Sequence, residues 1–225
     1  MTTTLFVGPR NYSSWSLRPW LALKWAGIAF ETRVLDLDAP GYGERRIADV
    51  VKASPGGTVP ALHTGALKLW DSLAICEWAA EQAAPGALWP KDADQRALAR
   101  AVSCEMHSGF AGVRRDLSMN IRRRCEAKGL PEDTLRDIAR IEEIWTERRW
   151  AARAEGAHLF GARSIVDAFF TPVATRFRTY GVKLHAAAQE YCETLLADAA
   201  FREWERLADA EWKPFLRADT DRLYA

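Results

Sequence analysis

The sequence predicts an α/β domain followed by an all-helical one, and three observations carry that prediction. Strand signals are confined to the first eighty or so positions, where Gly and Pro separate short extended runs. A Pro- and Gly-containing stretch, APGALWPKDAD (84–94), closes that region. Beyond it only helical apolar periodicity remains. The expected division is an α/β domain over 1–82, a linker over 83–93 and a helical domain over 94–225.

TLFVG (4–8) reads as the first strand, and SLRPWLALKW (16–25) as a helix with Gly27 at its C-terminal end. FETRVLDL (30–37) alternates like a second strand, so the chain opens strand–helix–strand, the order of a parallel pair with a right-handed crossover. A loop follows. Thr58–Leu62 and Ala66–Trp70 then form a hairpin around His63-Thr64-Gly65, with Pro60 at an edge, a strand start or a turn, where a cis bond is also accommodated. DSLAICEWAAEQ (71–82) reads as a helix capped by Asp71 or Ser72. Leu98, Val102, Met106, Phe110, Val113 and Leu117 make one long amphipathic helix, and Leu135, Ile138, Ile141, Ile144 and Trp145 a second. SIVDAFFTPVATRF, a shorter segment near 187–196, and DAAFREWERLADA complete the helical part.

Composition narrows the function. The chain has 225 residues, with 31 Lys plus Arg against 30 Asp plus Glu, a formal charge of +1. That balance gives no general grip on nucleic acid, and Arg122-Arg123-Arg124 reads as a solvated helix face. No apolar run approaches the roughly 18 residues of a membrane span, and the start MTTTLFVGPR lacks the basic and apolar regions of a secretory signal. The four cysteines and four histidines are scattered with no metal-ligand spacing, which fits reduced thiols in a cytoplasmic protein without a metal. Most of the ten tryptophans are expected in the core.

Three short stretches carry chemistry. In NYSSWSLRPW (11–20), Ser13, Ser14 and Ser16 lie in a strand-to-helix turn, where unpaired amides and the helix dipole favour an anion. The serines either cap the helix or present a hydroxyl to a ligand's thiolate. Thr58-Val59-Pro60 is either a rigid turn or, with a cis bond, a backbone edge on which a peptide-like ligand pairs. Asp71-Ser72 opens a helix, either as an ordinary cap or as a holder of a ligand carboxylate and ammonium.

Taken together, a thiol cradle, a backbone edge and a carboxylate-plus-ammonium site suit a tripeptide of γ-Glu-Cys-Gly type. On these motifs the chain resembles the cytosolic glutathione transferases over nearly its whole length. The resemblance implies a thioredoxin-like domain (βαβ-ββα, with the cis-proline after Val59) and an all-α domain, with LWPKDADQRA as the linker and SIVDAFFTP as a structural capping box between Ser164 and Asp167. Where thioredoxin-like proteins carry CxxC, this chain has Ser13-x-x-Ser16, so dithiol exchange is excluded there.

NYSSWSLRPWLAL is most similar to the turn of the zeta-like, serine-type classes, which matches Ser13 to the catalytic serine, with Ser14 in reserve. Trp15 stands where that class has a cysteine, a departure that bears on cis–trans isomerase chemistry. The resemblance further implies glutathione as co-substrate, held by Ser14, Lys52, Thr58, Val59, Pro60, Asp71 and Ser72, and an electrophile pocket near Tyr12, His107, Phe110, Arg114, Arg176 and Tyr180. It implies a homodimer acting on a small hydrophobic or aromatic electrophile. The alternatives are a glutathione-dependent isomerase and a transferase-like scaffold without catalysis.

Overall fold

A computed structural model describes residues 2–211. The last part of the expected helical domain, 212–225, lies outside the described residues. The opening is strand β1 (Thr3–Val7), helix α1 (Ser14–Trp25) and strand β2 (Glu31–Val34), with β1 and β2 parallel as expected. Hairpin strands β3 (Ala61–Thr64) and β4 (Leu67–Trp70) follow, and β3 runs antiparallel to β1. The sheet order is β2-β1-β3-β4, which places β1 centrally, and Leu5 and Val7 are fully buried. Helix α3 (Ser72–Gln82) packs beside α1.

Helix α1 starts two residues earlier than expected, at Ser14, with Ser13 as its N-cap. It ends in a Schellman pattern, in which Ile28 N–H donates to Leu23 O at 3.1 Å and Gly27 N–H to Lys24 O at 3.1 Å. The loop expected after β2 contains a short helix, α2 (Ala48–Ala53), a single turn and a half too brief to leave an apolar period in the sequence.

The helical part comprises α4 (Ala93–Ser108), α5 (Ala111–Asp116), α6 (Glu132–Ala152), α7 (Ile165–Tyr180), α8 (Ala186–Ala197) and α9 (Ala199–Ala210). The single long helix expected through Leu117 is broken at Gly109 and Phe110, where Phe110 takes left-handed backbone angles. A side chain accounts for the break. The Arg114 guanidinium turns back onto the end of α4 and donates to Met106 O, to His107 O (3.3 Å) and to Gly109 O (2.9 Å). It thereby satisfies carbonyls that a continuous helix would have paired internally.

Helix α7 is the axle of the molecule. Nearly every side chain on it is buried, and it packs against α1, α4 and α8. Its first turn is fastened by Asp167, whose carboxylate accepts from Ser164 N–H (2.7 Å), from Ser164 Oγ–H (3.2 Å) and from Tyr191 O–H (2.7 Å). One apolar core runs from β1, α1 and α3 through α4 into α7, α8 and α9. Trp145 and Trp204 are fully buried in it, while Trp150 stands 71% exposed.

Candidate functional site

The turn between β1 and α1 is pinned on both sides. Tyr12 N–H and Ser13 N–H both donate to Pro9 O, at 3.0 and 2.9 Å. Asn11 reaches into the helical part, its Nδ2 donating to Asn120 Oδ1 (2.8 Å) and its Oδ1 accepting from Arg122 N–H (3.0 Å). Trp204 Nε1 donates to Arg10 O at 3.1 Å. The serines therefore sit on a rigid corner, not on a mobile loop.

As N-cap, Ser13 is in place to bond the first-turn amides, yet its side chain makes no such bond. Its Oγ lies 2.8 Å from Ser16 Oγ, and Ser16 Oγ also accepts from Gly8 N–H at 3.1 Å. The first turn of α1 has no acidic residue, so its amides keep their partial positive charge. Gly8 makes the approach possible, because a Cβ there would lie 2.7 Å from Leu37 Cδ1 and 3.2 Å from Ser13 Oγ. Ser14 is held differently. Its Oγ accepts from Arg176 Nη2 at 3.0 Å, and Arg176 Nη1 donates to Leu117 O at 2.5 Å. With its oxygen occupied by a cation, the Ser14 hydroxyl proton is free to be given away. Burial first, and then the Arg114 charge, pull the Arg176 pKa down to about 10.

Two cavities of about 280 Å3 meet at this corner. One is walled by Pro9, Tyr12, Ser13, Ser14, Trp15, Leu37 and Tyr42. The other is walled by Tyr12, Ser14, Trp15, Arg114, Ser118, Met119 and Arg176. Tyr12, Ser14 and Trp15 belong to both, so a hydroxyl and an indole stand between two compartments.

Trp15 is the organiser of the cationic side. The Arg18 guanidinium carbon lies 4.4 Å and the Arg114 carbon 4.7 Å from its ring centroid. Arg18 is fully buried, also stacks on Phe169 at 4.5 Å, and none of its three guanidinium nitrogens has a hydrogen-bond partner among the described residues. Burial, with the Arg114 and Arg176 charges, holds its pKa well below the usual arginine range. Reading the sequence did not single out Arg18 as a site residue, because a lone arginine on an apolar helix face gives no signal of what surrounds it.

Asp71 and Ser72 open α3 as expected. Asp71 Oδ1 accepts from Leu73 N–H (2.7 Å) and Ala74 N–H (3.3 Å), and Asp71 has a positive φ of 73°. Its other oxygen, Oδ2, lies 3.2 Å from His107 Nε2. Ser72 is buried, and its Oγ has no partner among the described residues. His107 in turn sets its ring edge-on to Trp15, centroids 5.2 Å apart, so α4 links the Asp71 end of the site to the Ser14 end.

Burial lowers the His107 pKa, Asp71 pulls it back up, and Arg18 and Arg114 lower it further. The folded ring thus binds its proton less readily than the unfolded one. As pH falls below about 6.5, the unfolded chain takes up more protons and stability drops. Substituting His107→Gln is expected to flatten that acid-side loss, read as a smaller shift of the urea midpoint between about pH 7.5 and 5.5. An unchanged shift would assign the acid sensitivity to other groups.

The Val59–Pro60 bond is cis, and Val59 is buried beside the exposed Thr58. Val59 N–H donates to Tyr42 Oη at 3.3 Å. The remaining expected site residues lie elsewhere. Lys52 is exposed on α2, and its backbone carbonyl accepts from Lys68 Nζ at 3.5 Å. Phe110 is buried where α4 gives way to α5 and walls neither cavity. Tyr180 is packed in the core, with Oη donating to Ser118 O at 3.0 Å, and is not on the cavity wall where the electrophile pocket was expected. The family resemblance implied a place in the pocket, but α7 is buried at nearly every position, which a one-sided helix pattern does not reveal. Tyr42, Met119 and Ser118 join the walls without having been expected there.

Residues 12–82 match the family profile described as glutathione S-transferase, N-terminal domain. A maleylpyruvate isomerase from Ralstonia sp is 41% identical over 103 residues, 44% of this chain and 46% of that protein. The alignment thus spans less than half the length of that relative. Among solved structures, a glutathione transferase homolog from Burkholderia gl BGR1, with bound glutathione, superimposes with a TM-score of 0.71 at 22% identity, covering 93% of this chain and 100% of the other. A theta-class glutathione S-transferase from Xanthomonas axonopodis pv. citri, also with glutathione, gives a TM-score of 0.64 at 26% identity, covering 90% and 96%. A fold of this kind extends through both the α/β and the helical parts.

Proposed function

We propose that this chain, whose residues 12–82 match the glutathione S-transferase N-terminal domain profile, is a glutathione transferase that binds glutathione at the α1 corner and delivers its thiolate to a small electrophile. The observation that carries this reading is a non-capping serine hydroxyl at an open helix N-terminus, linked through Trp15, His107 and Asp71 to a second helix start whose Ser72 hydroxyl is buried without a partner among the described residues. A buried hydroxyl left unpaired costs free energy, which a ligand carboxylate at that helix start would recover.

In this reading Asp71 Oδ2 accepts from the γ-glutamyl ammonium and Ser72 meets the adjacent carboxylate. Thr58 and Val59 hold the cysteinyl backbone beside Pro60, and Lys52 serves the glycyl carboxylate. The thiol lies against Ser13, with Ser14 second. A free thiol has a pKa of about 8.5, so lowering it by about two units requires about 3 kcal/mol of preference for the anion. One charge-assisted hydrogen bond and the α1 N-terminus supply that order of energy. The serine is not the nucleophile. The thiol proton passes to solvent, the sulfur forms the new bond to carbon, and the electrophile's leaving group departs with the displaced electron pair. Tyr12, Trp15, Arg114 and Arg176 wall the compartment in which the electrophile would stand, with His107 behind Trp15.

A second reading is glutathione-dependent cis–trans isomerisation, in which the thiolate adds to a double bond and is expelled after rotation. The likeness to a maleylpyruvate isomerase and the arginines of the electrophile compartment favour it, and Trp15 at the cysteine position weighs against it. Side activity towards hydroperoxides, a role in detoxification and a cytoplasmic setting belong to the same proposal. Homodimerisation is supported by Leu67, Trp70, Leu98 and Leu135, large apolar side chains left exposed on β4, α4 and α6.

Titration with glutathione, following thiolate absorbance and turnover on aryl halides, hydroperoxides and isomerisable dienoic acids, tests the reading. Saturable binding with a depressed thiol pKa is expected. Absence of binding at millimolar glutathione would turn the chain into a transferase-like scaffold.

A further inference from the structure

The amide that the proposed reading assigns to the ligand is already in use. Val59 N–H points at Tyr42 Oη, 3.3 Å away. An N–H of this kind takes one well-aligned acceptor. A phenol oxygen and the carbonyl of a tripeptide pairing along the same edge cannot both lie on that axis.

The loop around Tyr42 is shaped to bring the phenol there. Gly41 and Gly43, on either side of it, have φ of 93° and 82°, angles that side chains rarely accept. A Cβ at Gly41 would lie 2.4 Å from Arg46 Cβ. The ring packs with Leu35 and Ile47 against a small cluster of Leu37, Val50 and Val59 that is separate from the main core. A satellite cluster of that size is the kind of unit that opens without unfolding the rest. The same ring walls the cavity that holds Ser13 and Ser14.

We propose that Tyr42 is an affinity-setting residue of the glutathione subsite: its hydroxyl stands in for the cysteinyl carbonyl on Val59 N–H and must leave that amide before the tripeptide can pair with it. The inference rests on the glutathione reading above. Burial raises the phenol's pKa, with the Val59 amide opposing that rise, so the hydroxyl is neutral at physiological pH and holds the amide as a neutral acceptor.

The test uses S-methylglutathione, which has no ionisable thiol and so reports binding apart from activation. Tyr42→Phe keeps the packing ring and removes the acceptor. It is expected to bind S-methylglutathione about three- to tenfold more tightly than the parent, the worth of one net hydrogen bond. The Val59 amide is expected to exchange faster in the free variant and to regain protection when the ligand is added. Equal or weaker binding by the variant, with the parent still binding, would overturn the role of Tyr42 and leave the glutathione reading standing. Failure of both proteins to bind at several millimolar would overturn both.

Discussion

Replacing Ser13 with alanine is expected to raise the pKa of the bound glutathione thiol by one unit or more while binding largely survives. The hydroxyl does not cap α1, and its partner is Ser16, itself anchored by Gly8 N–H. Ser16 Oγ therefore has a fixed place in the strand-to-helix corner and accepts from Ser13 Oγ–H, and Ser13 lines the cavity. In the proposed binding mode, deleting the Ser13 oxygen leaves the ligand's contacts with the Val59 backbone and the Asp71 carboxylate in place, so affinity changes little. What is lost is one donor to the anion, of the order of 1.5–3 kcal/mol when the partner is charged, which is about one to two pKa units. Thiolate absorbance of the complex against pH reads the shift directly. An unchanged pKa removes Ser13 from the role, and the same titration on Ser14→Ala then decides for Ser14, whose oxygen already carries the Arg176 donor.

Substituting Asp167→Ala is expected to destabilise the protein by about 3–5 kcal/mol, the usual loss when one partner of a buried charged network is removed. Asp167 is fully buried. Its removal strands Ser164 N–H and Tyr191 O–H in the interior and unfastens the first turn of α7. Asp167→Asn keeps the shape and one acceptor, and is expected to lose less. Urea denaturation of both variants measures the difference. A change below about 1 kcal/mol for the alanine variant would show that α7 is held by packing alone.

Much of the architecture was legible because its signals are local. The strand–helix–strand opening, the hairpin, and Asp71 and Ser164 at helix starts depend on residues a few positions apart. The spacing Ser13-x-x-Ser16 was legible too, though not that the two hydroxyls meet. The break at Gly109 and Phe110 was hidden because the apolar repeat runs straight through it, and only a guanidinium folding back in space reveals the stop. Arg114, Arg176 and His107 could be named as residues near an electrophile. That the Arg114 guanidinium joins Arg18 on the Trp15 ring, or that Tyr42 reaches Val59, depends on contacts between segments apart in the chain that periodicity does not encode.

The hydrogen bond from Arg176 to Ser14 joins residues 162 positions apart in the chain. During synthesis, the serine corner therefore emerges long before the cation that aims one of its hydroxyls. An N-terminal fragment would carry the recognisable motif with Ser14 unaimed, and the corner gains its full chemistry only when α7 has been made, fastened at Asp167 and docked. Assembly order, as much as residue identity, decides when this chain is competent.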